Sequence, residues 1–100
     1  MPDNYNASLR FAQMANAAKR YDDALAACDR GLAQLTGPLA GAWLLQVKAQ
    51  ALTGKGDAAG ARAALEEARK VAATIGSERM REHSLGMIDR LLSASGESAP

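Results

Sequence analysis

The stretch Leu45-Gln46-Val47-Lys48-Ala49-Gln50-Ala51-Leu52-Thr53-Gly54-Lys55-Gly56-Asp57-Ala58-Ala59-Gly60-Ala61-Arg62-Ala63-Ala64-Leu65-Glu66-Glu67-Ala68 decides the fold. Apolar residues recur every three or four positions on both sides of Gly54-Lys55-Gly56-Asp57, which is the spacing of two amphipathic helices. Glycine ends a helix cheaply by turning left-handed, and the Asp57 carboxylate can accept the free amides of a following first turn. The stretch reads as helix, tight turn, helix.

Sliding it back by 37 residues lays it on the preceding part of the chain. Ala49 falls on Ala12, Leu52 on Ala15, Ala58 on Tyr21, Ala61 on Ala24, Leu65 on Cys28 and Ala68 on Gly31. Each position is small or apolar in both copies. A period of this length marks stacked helix pairs, each burying its open face on the next.

Working outward, the breaks Lys19-Arg20-Tyr21-Asp22, Thr36-Gly37-Pro38, Gly54-Lys55-Gly56-Asp57 and Gly76-Ser77-Glu78 predict five helices, over about 5–18, 21–35, 39–53, 58–75 and 78–92. Pro38 sets φ for a helix start directly after a Gly37 stop, and Ser77 is an N-cap candidate. Short loops make each helix antiparallel to the one before. Residues 93–100, small and polar, are expected to form a disordered tail. Residues 1–92 then form a single domain: a first pair over about 5–36, a second over about 39–75, and a capping helix.

Composition agrees. The 100 residues include 23 alanines and 12 leucines, against only 7 valines, isoleucines and threonines together. Strong helix formers dominate and strand formers are scarce, which excludes an all-β domain. Twelve basic and 11 acidic groups leave a net charge of +1, spread evenly along the chain. Nucleic-acid binders carry a basic stripe, and none is visible, so no nucleic-acid partner is expected. No apolar run is long enough to span a bilayer, so no membrane partner is expected. The polar start Pro2-Asp3-Asn4 is unlike a signal peptide. A single cysteine, Cys28, fits a reducing compartment and the cytoplasm, although a periplasmic domain cut from a longer precursor would look the same.

These residues resemble the tetratricopeptide repeat (TPR), a 34-residue helix–turn–helix. Phe11-Ala12 falls at repeat positions 7 and 8 of the first copy, and Ala24, Cys28 and Gly31 at 20, 24 and 27. In the second copy Leu45, Ala49 and Leu52 fall at 4, 8 and 11, and Ala61, Leu65 and Ala68 at 20, 24 and 27. The resemblance covers about 70 residues. It implies an all-α, right-handed superhelix of antiparallel pairs with a C-terminal cap, and a non-enzymatic protein- or peptide-binding module. The sequence departs from the pattern at Ser8 and Lys48, where apolar residues are usual. The period is 37, and the usual proline at position 32 is missing. The run from Gly37 to Ala68 also resembles helical repeats appended to some bacterial thioredoxin-like proteins. The alternative is therefore a structural accessory domain of a larger enzyme, although no Cys-x-x-Cys is present.

No enzyme chemistry is legible. Gly54-Lys55-Gly56 lacks the length and the Ser/Thr of a phosphate loop. Adjacent Glu66 and Glu67 diverge on a helix. Cys28, at a packing position, reads as a buried hydrophobe. His83 has no second His or nearby Cys, so no metal site and no cofactor are expected.

The resemblance places the ligand groove on the first helix of each pair. The candidate partner-binding residues are Asn6, Arg10 and Gln13 on helix one and Trp43, Gln46 and Gln50 on helix three. Leu9 and Val47 share that strip, and the cap adds Met80, His83, Ser84 and Met87. Trp43 either anchors a ligand or packs over Gly37-Pro38. Two repeats leave open apolar ends, so a homodimer is a further expectation.

Overall fold

The computed structural model describes residues 5–33 and 37–97, with side chains for 7–33 and 37–93. Five helices follow one another: α1 (Tyr5–Ala17), α2 (Tyr21–Ala33), α3 (Pro38–Gly54), α4 (Ala58–Ala72) and α5 (Glu78–Glu97). The fold is all-α, with no strand among the described residues. No helix among them is long and apolar enough to cross a membrane.

Helix starts follow the local chemistry. Pro38 opens α3 behind an extended Gly37. Asp57 caps α4, its Oδ1 accepting from the Gly60 amide at 2.9 Å. Ser77 Oγ accepts more weakly from the Met80 amide at 3.4 Å. One expectation is corrected: α5 does not stop at 92 but continues to Glu97. Extending an existing helix adds one hydrogen bond per residue fixed, and no proline interrupts Ser93-Ala94-Ser95. Residues 98–100 of the expected tail lie outside the described residues.

α3 is the spine. It packs against α1, α2, α4 and α5. One face, with Leu44, Val47 and Ala51, joins a core with Leu9, Ala12, Ala15, Ala24, Ala27 and Cys28. The other, with Ala42, Leu45 and Ala49, joins a second core with Ala61, Ala64, Leu65, Ala68, Ala72 and Ile88. Leu44 is fully enclosed, a burial that contributes about 1.5–3 kcal/mol. The odd helices form a row, α1 touching α3 and α3 touching α5. The chain makes a slab of 47 × 33 × 17 Å.

On α2 and α4 the 37-residue correspondence extends to burial. The buried residues of α2 are Ala24, Ala27, Cys28 and Gly31, and those of α4 include Ala61, Ala64, Leu65 and Ala68. Small side chains at these positions let the axes close. A Cβ on Gly31 would lie 3.0 Å from Leu44 Cδ1 and 3.2 Å from Ser8 Cβ. The buried Ser8 thus fits where a larger residue would collide with α2. Lys48 lies at the edge and pairs with Asp29 at 3.2 Å.

A candidate binding groove between α3 and α5

α5 docks on α4 and α3 through Ile88, which is fully buried. Arg81 Nη1 donates to the Ile75 carbonyl at 2.9 Å and ties α5 to the end of α4. Arg69 and Asp89 form an ion pair from α4 to α5. Held this way, α5 leaves a groove of about 300 Å³ against α3.

Helical spacing builds both walls. Leu39, Trp43 and Gln46 come from α3, and Met80, His83, Ser84 and Met87 from α5. Positions separated by three or four residues share a helix face. A hollow of about 420 Å³ adjoins the groove at the start of α3, where Leu39, Trp43 and Met80 meet Leu9, Pro38 and Ile75. Trp43 is 50% exposed, Met80 46%, Met87 43% and Leu39 37%. Gln46 and Ser84 are buried polar residues among the groove lining. The lining is apolar with a few polar groups, the usual make-up of a recognition surface.

The structure brings together only part of the strip read from the sequence. Trp43 and Gln46 line the groove with Met80, His83, Ser84 and Met87. Gln46 does not face outward, as expected, but is 7% exposed. Leu9 and Val47 are likewise buried in the α1–α2–α3 core. Arg10, Gln13 and Gln50 are exposed but line neither hollow. Asn6 lies on α1, its side chain outside the described residues. The strip divides because α1 closes on α3: Leu9, Ala12 and Ala15 pack against that helix, and Asn16 Nδ2 donates to the Val47 carbonyl at 3.2 Å. Asn16 Oδ1 is buried there with no hydrogen-bond partner among the described residues. Leu39 was missed, although it stands four residues before Trp43 on the same face. Trp43 lines the groove and shares the adjoining hollow with Gly37 and Pro38.

Elsewhere a few surface charges pair. At the α1–α2 turn, Arg20 pairs with Asp23 at 2.7 Å and Lys55 with Asp22 at 2.5 Å. Cys28 is fully buried. Burial pushes its thiol up to about 11, with Asp29 adding to the rise and Lys48 opposing it. A thiol so disposed is a poor nucleophile, because the thiolate is the reactive form. Among the described residues, no three His, Cys, Asp or Glu side chains cluster as a metal site.

No protein-family model, curated protein or solved structure matches the chain.

Proposed function

We propose that the chain is a non-enzymatic peptide-binding module. In this reading it is a TPR-like superhelix of two helix pairs and a cap, and the α3–α5 groove receives an apolar side chain of a partner protein. One observation carries the reading: four large apolar residues, Leu39, Trp43, Met80 and Met87, stay substantially exposed around one concavity. Contiguous exposed apolar surface is costly in a monomer and marks contact sites. Methionine adapts to varied partners, and tryptophan is the commonest kind of binding anchor. Phe11 and Met14, exposed on α1, favour self-association at the opposite end.

The test is titration with a peptide library carrying single bulky apolar residues, read by the emission of Trp43, the sole tryptophan. Met87→Ala should weaken binding while leaving the melting temperature close to the parent's. Trp43→Ala, followed calorimetrically, should cost about 2 kcal/mol or more of affinity if it is a hot spot. Peptide affinity untouched by both substitutions would overturn the reading. Light scattering on the same samples reports the dimer.

A further inference from the structure

The groove between α3 and α5 is apolar at its mouth and polar at its floor. Leu39, Trp43, Met80 and Met87 stand substantially exposed around it, while Gln46 and Ser84, from opposite walls, are only 7% and 6% exposed. Neither polar side chain makes a hydrogen bond among the described residues, to the other or to a backbone group. Among those residues the one fully enclosed side-chain oxygen or nitrogen without a partner is Asn16 Oδ1. The polar ends of Gln46 and Ser84 therefore keep an opening, and the cavity both residues line is the groove. A ligand that covers such groups without bonding to them bears the cost of leaving them unpaired. The arrangement selects a side chain with a bulky apolar body and a polar tip.

We infer that the groove recognises a tyrosine side chain of the partner, its ring among the apolar walls and its hydroxyl at Gln46 and Ser84. The inference rests on the peptide-binding reading and names the residue that the groove takes. A phenol hydroxyl both donates and accepts. The Gln46 amide and the Ser84 hydroxyl can each do either, so both bonds close without a buried charge. The ring gains from the Trp43 indole and from methionine sulfur at its edge. Other side chains fit less well. Phenylalanine fills the groove but leaves its floor unpaired. Tryptophan only donates, which serves one of the two floor groups. Lysine brings a charge to a neutral floor and must pass Arg79, which borders the outer hollow with Met80 and His83. Serine and threonine lack the body to fill about 300 Å³.

The test uses the full chain and short, capped, otherwise polar peptides that differ at one central position: tyrosine, phenylalanine or leucine. Affinities are read by isothermal titration calorimetry. The tyrosine peptide should bind about tenfold or more tighter than the phenylalanine peptide, the ratio that one buried hydrogen bond supplies. Gln46→Leu and Ser84→Ala should each weaken the tyrosine peptide toward the phenylalanine level. Both should leave the phenylalanine peptide bound as in the parent, which a loss of structure would not do. Phenylalanine binding as tightly as tyrosine overturns the inference and leaves the peptide-binding reading standing. A tyrosine preference that survives both substitutions overturns it in the same way. Binding of none of the three peptides overturns both. Should either variant fail to fold, the comparison of tyrosine with phenylalanine on the parent chain decides alone.

Discussion

Lys19 and Gly56, 37 positions apart, close the α1–α2 and α3–α4 turns in the same left-handed conformation, with φ of 63° and 87°. Their hydrogen bonds correspond one to one. Arg20 donates to the Ala15 carbonyl at 2.7 Å as Asp57 does to Leu52 at 2.8 Å, and Lys19 to Asn16 as Gly56 to Thr53, both at 3.0 Å. This is the paired bonding that ends a helix and reverses the chain. The backbone repeats although the residue at its most demanding position does not.

That mismatch is measurable. A residue with a Cβ is strained in the left-handed region by about 1–2 kcal/mol, while glycine is not. Lys19→Gly should therefore stabilise the protein, by up to about 1 kcal/mol after the added unfolded-state entropy. Gly56→Ala should destabilise by a similar amount, through conformation alone, since a Cβ there would meet nothing within 4 Å. Chemical denaturation of both variants decides; equal midpoints for parent and variants would contradict the strain argument.

The equivalence of Ala24 and Ala61, both buried at close crossings, gives a second pair of outcomes. Ala24→Leu and Ala61→Leu should each cost roughly 1–3 kcal/mol, because added bulk forces the helices apart. Thermal melts like the parent's in both would overturn the repeat alignment.

Tyr21 and Gly54 interlock across the α2–α3 interface: a Cβ on Gly54 would overlap the Tyr21 ring. Gly54→Ala should lower the melting temperature, and less so in a Tyr21→Ala background. A double-mutant cycle reads the coupling, which should lie near 0.5–3 kcal/mol for residues in contact. Additive effects would show that the ring moves aside freely.

Cys28 links burial to pH. Its folded thiol titrates near 11, above an exposed thiol in the unfolded chain, whose pKa is about 8.5. Between those values the native state holds a proton that the unfolded state has released. This contribution to stability is complete below about pH 8.5 and is lost as pH rises toward 11. The decline in stability should be steeper for the parent than for Cys28→Ala. Labelling by a thiol reagent should be slow in native buffer and fast in denaturant; rapid native labelling would contradict the burial.

The fold was legible where each signal is local. Asp57 and Pro38 marked helix starts because capping and fixed φ act within one turn. Ala24, Gly31 and their partners Ala61 and Ala68, 37 residues on, marked crossings because only small side chains fit there. The end of α5 was misread, since a small polar composition weakens a helix without forbidding it. The binding strip was only half legible. Trp43, Met80, His83 and Met87 were in view, but the resemblance also put Gln46 and Leu9 on the groove strip, and both are buried.

Sequence by itself determined the helices, their turns and the small-residue faces, all of which depend on neighbours within a turn or on a repeated pattern of side-chain size. Tertiary structure decided which seams of the odd-helix row stay open. α1 meets α3 through small or well-fitted residues, with Asn16 bonded to the Val47 carbonyl, and that seam closes. α5 is held instead by Ile88, Arg69–Asp89 and Arg81, which draw it toward α4. The bulky Trp43, Met80 and Met87 are left around the gap on its other side. Separation between helices reflects packing on all their faces at once, information that no single helix carries in its own phase.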